Sequence, residues 1–225
     1  MSASTSAVFT PPKNENESII AHFSDGLLMT FAKEETVISG IDNPEGVYLI
    51  KEGFIKAYSL SKAGHSNLLL IHEAGEFIPL PWALDGAHTT GLYYEAMSDV
   101  TVLRASKDKL RSAMGNNSWL SQEVLKQAVN VLAMYTNRIQ TLEYRSARGR
   151  IISELLNLAE RFGDSQGKKV IINAPITHQD IADSINMTRE TASRALGLLF
   201  EEKLVTQEDH LFAILDLPRL QAALS

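Results

Sequence analysis

Residues 177–194 (THQDIADSINMTRETASR) leave this chain few ways to fold, because they carry the start and stop signals of two short helices only a few residues apart. Thr177 can accept a hydrogen bond from the backbone N–H groups of a first helical turn. Asp180, three residues on, completes a capping box and suits the positive end of a helix. Ile181, Ala182 and Ile185 then share one face, and Asn186 stands where the chain must turn, a place where it tolerates a left-handed backbone. Thr188 is a second N-cap, so another helix starts at once. At about 100° per residue, Ala192, Ala195, Leu196 and Leu199 share one side of it, and Arg189, Glu190, Ser193, Arg194 and Gly197 the other.

One side packs and the other is free. The free side carries two guanidinium forks and a carboxylate within two turns, groups suited to bidentate contact with guanine and to acceptance from the cytosine amino group. Small residues between them allow close approach. Singly, Arg189, Glu190 and Arg194 read equally well as a solvated charged face. Two caps, a small residue inside the first helix and a turn-compatible Asn together favour a helix-turn-helix.

Arg189, Glu190, Thr191 and Arg194 match the Arg-Glu-Thr-x-x-Arg pattern in the recognition helix of the CRP/FNR superfamily of bacterial transcription regulators, which this run resembles. Residues 149–159 (GRIISELLNLA) resemble that family's helix after the hinge, and 204–215 its wing hairpin. The resemblance spans nearly the whole chain. It implies an α+β fold with an N-terminal β-barrel or jelly-roll sensor domain of the cyclic-nucleotide-binding type, a long dimerisation helix and a C-terminal winged helix-turn-helix. It also implies a homodimer on a palindrome of TGTGA-like half-sites, with Arg189 and Arg194 facing guanines and Glu190 a cytosine. Thr177, His178, Thr188, Thr191, Ser193, Lys168 and Lys169 are the candidates for phosphate contact or capping, with Arg148 near them.

The expected organisation is a loose tail over 1–16, a β-roll over 17–117, a dimerisation helix and hinge over 118–146, and the reader over 147–225. Residues 1–16 are rich in Ser, Thr, Pro and Asn and have little to bury. Between about 19 and 114, short β-prone runs at 35–40, 46–60, 67–72 and 92–103 alternate with turn residues. Within 47–58, Gly53 supplies the positive φ of a tight hairpin. From Trp119 to Ser146 there is no Pro or Gly, and Leu125, Ala128, Leu132, Tyr135, Ile139 and Leu142 recur at alternating spacings of three and four. That is a heptad seam for a parallel dimer. A second apolar line through Leu120, Val124 and Val131 faces the helix's own barrel. Two recognition helices related by a twofold can then enter successive major grooves about 34 Å apart. Gly149 is the expected hinge, 169–173 a short strand, and 204–206 with 211–215 a hairpin joined across 207–210.

Composition fits a protein with a real core: 225 residues, 44% of them hydrophobic. No apolar run reaches the roughly 20 residues of a membrane span and no secretory signal opens the chain, so the expected location is the cytoplasm. The chain has no cysteine, which excludes disulfides and cysteine-ligated iron–sulfur clusters. With a net charge of −6, and nine Lys/Arg against eleven Asp/Glu from residue 146 onward, attraction to phosphate must be local.

Cyclic-nucleotide-binding relatives hold the ribose with the acid of a Gly-Glu-Leu segment and the phosphate with an Arg-Ser pair. Residues 74–78 (AGEFI) resemble the approach to that pocket. By a gapless count, however, Leu80 stands in place of the acid, and Thr90 and Gly91 in place of Arg and Ser. The resemblance therefore implies a protein that does not answer to cyclic AMP. Leu80, Trp82, Thr90 and Gly91, with Tyr135 and Thr136 on the long helix, either take a neutral or apolar effector or fill the barrel and leave the protein effector-independent. Haem, with His72 or His88 as axial ligand, is disfavoured because neither lies in a ligand-like motif. No catalytic motif is present, so no enzymatic activity is expected. The rival reading is an effector-binding or protein-interaction module whose C-terminal helices serve assembly. RNA polymerase is a further partner of such regulators, but no surface patch for it is legible.

Overall fold

The computed structural model describes residues 13–85 and 91–224. It divides into two compact units whose boundary falls between Leu132 and Ala133. The first opens with α1 (Lys13–His22), so the tail expected through residue 16 gives way to helix four residues earlier. There follow β1 (Leu27–Phe31), β2 (Thr36–Ile38), β3 (Val47–Glu52), β4 (Ile55–Leu60), β5 (Ser66–His72), β6 (Phe77–Ile78), α2 (Leu80–Ala83), β7 (Leu92–Ala96), β8 (Val100–Ala105) and α3 (Lys107–Asn116). The strands form two antiparallel sheets, ordered β1-β8-β3-β6 and β2-β7-β4-β5, a jelly-roll-like arrangement rather than a closed barrel.

Alternation of side chains explains the second sheet. Ile55 and Ala57 of β4 point into the core, with Tyr94 and Ala96 of β7 beside them. The register pairs Lys56 with Glu95 and Tyr58 with Tyr93 on the outer face. There Lys56 Nζ lies 2.9 Å from Glu95, and the two tyrosine rings stack at 5.5 Å. Gly53, at φ 89°, makes the tight β3–β4 connection, and a Cβ there would collide with the Asp99 carbonyl. The run expected over 92–103 is two strands, because the chain turns at Ser98, whose Oγ accepts from the Phe54 N–H at 3.1 Å.

Helix α4 (Ser118–Glu143) begins in this unit and continues into the next. Its Leu120 and Val124 are fully buried in one cluster with Phe23, Leu49, Phe77, Leu103 and Leu110, so the second apolar line of the helix completes the sensor core. No helix among the described residues is long and apolar enough to cross a membrane.

The second unit holds the end of α4, α5 (Ala147–Phe162), β9 (Gly163–Gln166), β10 (Lys169–Ile172), α6 (His178–Ser184), α7 (Arg189–Glu201), β11 (Val205–Glu208), β12 (Leu211–Ile214) and α8 (Leu217–Ala222). Its sheet has the order β11-β12-β10-β9. The interruption after α4 lies at residues 144–146, not at Gly149. Ser146 caps α5 by accepting from the Gly149 N–H at 3.0 Å, and Gly149 is a buried residue of the first turn. A Cβ on it would stand 3.3 Å from the Tyr144 Cβ. Gly149 therefore stands as a closely packed helix residue.

Candidate nucleic-acid interface

Local chemistry sets the two reading helices. Thr177 Oγ1 accepts from the Asp180 N–H at 3.1 Å, and Asp180 Oδ2 accepts from the Thr177 N–H at 2.9 Å, which closes the capping box. Thr177→Ala removes an N-cap above a buried carboxylate, and we expect a loss of about 1 kcal/mol of stability, read as a lowered midpoint of thermal or urea unfolding. The turn places Asn186 at φ 54°, with the Met187 N–H bonded to the Ala182 carbonyl at 2.9 Å. Thr188 then caps α7 by accepting from the Thr191 N–H at 3.3 Å.

Helix α7 buries Ala192, Ala195, Leu196 and Leu199. Arg189, Glu190, Thr191 and Arg194 are exposed together along its first two turns. Hydrogen bonds from its own backbone amide and from the Thr188 hydroxyl hold the Glu190 carboxyl below the usual carboxylate range. It is therefore ionised at neutral pH, the state that accepts a hydrogen bond from a cytosine amino group. Beside α7, β11 and β12 form the wing across Asp209 and His210, at φ 48° and 67°, which is the mirror-image turn a two-residue hairpin favours.

The supporting residues do not all stand as expected. His178 is half-buried. Its Nδ1 lies 3.0 Å from Ser193 Oγ, and its ring stacks on Phe212 at 5.6 Å and meets Phe200 at 6.3 Å. Burial holds the imidazole below the usual histidine range, opposed by a hydrogen bond to the Gln207 side chain and reinforced by the Arg189 charge. His178 and Ser193 thus tie α6, α7 and the wing to one another. Lys169 Nζ pairs with Glu208 at 2.9 Å, and Arg148 makes a bidentate pair with Glu202 at 2.7 and 2.8 Å. Lys168 Nζ lies 3.9 Å from Asp216 and remains well exposed. Gln207, reached only by the wing's folding, was not singled out by the sequence, since nothing local marks it.

On α4, Leu125, Leu132 and Ile139 are 63%, 66% and 63% exposed, and Ala128, Tyr135 and Leu142 are half-buried. Val129, also exposed, joins the same stripe and was legible as the fourth residue after Leu125. In the β-domain, Leu80 is buried in the core at the first turn of α2, and Trp82 lies beneath the Lys107 ammonium at 5.0 Å from its ring centre. A recess of about 20 Å³ lies among Pro79, Pro81, Trp82 and Tyr94. Gly91 adopts φ 86°, while Thr90 and His88 lie outside the described residues. His72 is buried, with Nδ1 2.6 Å from Glu76 Oε2 and the ring beside Tyr94.

Residues 149–223 match the Crp-like helix-turn-helix domain, and residues 28–117 the cyclic nucleotide-binding domain. The global nitrogen regulator of Nostoc sp. is 30% identical over 179 residues, which cover 79% of this chain and 80% of that protein. The CRP-like cAMP-activated global transcriptional regulator of Mycobacterium tuberculosis is 26% identical over 168 residues, 74% of each chain. A CooA variant from Carboxydothermus hydrogenoformans, 21% identical, shares the fold with a TM-score of 0.75 over 91% of this chain and 90% of that one. The chain belongs to the CRP/FNR superfamily of bacterial transcription regulators and carries that family's helix-turn-helix DNA-binding domain.

Proposed function

We propose that the protein acts in the cytoplasm as a homodimer that reads a palindrome of TGTGA-like half-sites, without cyclic AMP as its signal. The observation that carries this reading is the exposed Arg189, Glu190 and Arg194 face on a doubly capped pair of helices. A surface built for assembly would present apolar side chains there. The stripe at Leu125, Leu132 and Ile139 supports the dimer, since large apolar side chains in heptad register gain most by facing a second copy.

Two observations support a signal other than cyclic AMP. Leu80, where the family's acid would stand, is a core residue, and the recess beside α2 has room for about one water molecule rather than a nucleotide. A cyclic phosphate buried without a guanidinium partner would bear its desolvation cost uncompensated.

Selection of sites from random duplex DNA tests both parts, run with the unaltered protein and with Glu190→Ala, each with and without cyclic AMP. The unaltered protein should enrich one palindrome identically in both conditions. Glu190→Ala should lose discrimination at the base pair whose cytosine faces residue 190, by about 1–3 kcal/mol. Absence of a palindrome sinks the central reading, and enrichment only with cyclic AMP sinks the reading of the pocket.

A further inference from the structure

Ser193 stands on the free side of α7, one turn after Arg189 and next to Arg194, yet its hydroxyl is already engaged. Its Oγ lies 3.0 Å from Nδ1 of His178, the first residue of α6. A serine hydroxyl has one proton and two lone pairs, and a neutral imidazole has one donor and one acceptor. The direction of this bond therefore decides what Ser193 can offer to DNA.

The surroundings of the imidazole fix that direction. Packing against Phe200 and Phe212 favours its neutral form, and the ring makes a further hydrogen bond to the Gln207 side chain on β11. Gln207 Nε2 donates to the His210 carbonyl at 3.5 Å, which leaves the Gln207 amide oxygen to accept from His178. The imidazole proton is then on Nε2, and Nδ1 accepts from the Ser193 hydroxyl. With its proton so committed, Ser193 has only lone pairs to present. Phosphate oxygens likewise only accept, whereas base edges carry donors in the major groove, the amino groups of adenine and cytosine.

We propose that His178 is a positioning residue for sequence reading: it holds Ser193 as an acceptor for a base amino group in each half-site, and protonation of His178 reverses the bond and removes that preference. The proposal rests on α7 being the reading helix. In the imidazolium, Nδ1 carries a hydrogen and donates to Ser193 Oγ, whose own proton turns outward toward acceptors such as guanine O6 or thymine O4. Of the charged groups on the elements around the ring, Arg189 of α7 opposes protonation. Asp180 of α6 is bonded in its capping box, Glu190 of α7 to the Thr188 hydroxyl, and Glu208 of β11 to Lys169.

The test uses the selected palindrome and duplexes that change each base pair in both half-sites, measured by fluorescence anisotropy with the full-length protein, Ser193→Ala, His178→Phe and the double variant. Ser193→Ala should lose about tenfold of the preference at one base pair, for two neutral hydrogen bonds per dimer, and keep the preferences at the others. His178→Phe keeps a ring against Phe200 and Phe212 and should lose most of the same preference, with the double variant no worse than Ser193→Ala. Between about pH 8 and about pH 6 the unaltered protein's preference at that pair should fall, while both single variants stay flat. Ratios between duplexes cancel any general change in affinity with charge. If His178→Phe does not fold, the unaltered protein against Ser193→Ala across pH decides. Absence of any selected palindrome would remove the reading of α7 and this proposal with it. A palindrome whose preferences all survive Ser193→Ala, losses spread over every position in His178→Phe, additive losses, or a preference that ignores pH would overturn the role of His178 alone.

Discussion

Leu132→Lys combined with Ile139→Lys will leave each protomer folded and take the protein from dimer to monomer, with loss of palindrome binding. Both side chains are about two-thirds exposed on α4, so their removal costs the isolated chain little. Full burial of such a side chain stabilises by about 1.5–3 kcal/mol, and roughly two-thirds of that remains to be gained on pairing. Four such side chains meet across the twofold, so about 4–8 kcal/mol of association is forfeited before like charges are counted. A micromolar dimer has about 8 kcal/mol in total. Sedimentation equilibrium should therefore report a monomer at micromolar protein with an unchanged circular dichroism spectrum, and gel shift should show no complex at concentrations that saturate the unaltered protein. A double variant that stays dimeric would place the interface elsewhere on the molecule.

The same helix shows what a sequence discloses and what it hides. Spacing alone separated its two lines, Leu120 and Val124 now in the sensor core and Leu125, Leu132 and Ile139 left outside, because helical periodicity is a local property. Capping at Thr177 and Thr188 and the left-handed turn at Asn186 were legible for the same reason. Strand β1 was not. Its LLMTF run lacks alternation, and as an edge strand it leaves Leu27 and Leu28 both exposed, which no period-two rule anticipates.

His178 stands at the start of α6 like any surface residue of a first turn, yet long-range packing on Phe200 and Phe212 turns it into a joint. Gly149 was marked in the sequence by its freedom of backbone, and what the sequence did not show is its close packing against Ser146 and Tyr144. The effector pocket was illegible for a related reason. A gapless count can report which residues replace an acid and a base, but it does not reach the distant residues, such as Ile38, Pro44 and Tyr94, that line the recess beside them.

Arg189→Ala and Arg194→Ala should each weaken binding to the selected palindrome while sparing affinity for unrelated DNA, and Lys168→Ala should weaken both alike. A lost bidentate base contact costs about 1–3 kcal/mol, and the twofold counts it twice, so each arginine variant should lose about 2–6 kcal/mol, roughly 30-fold to 20,000-fold. Neither arginine has a strong ion-pair partner on the protein among the salt bridges of the described residues, so no intramolecular pair must be broken to free the forks. Lys168 is exposed and bonded only loosely to Asp216, which makes it the lysine best placed to meet phosphate, whereas Lys169 is occupied by Glu208. Removing a phosphate contact lowers the slope of log affinity against log salt by about one per contact and affects specific and unrelated DNA alike. Fluorescence anisotropy over a salt series, with the selected palindrome and a scrambled duplex, separates the two behaviours. If the arginine variants bind both duplexes with equally reduced affinity, the exposed face of α7 holds the backbone, and the sequence is read by some other element.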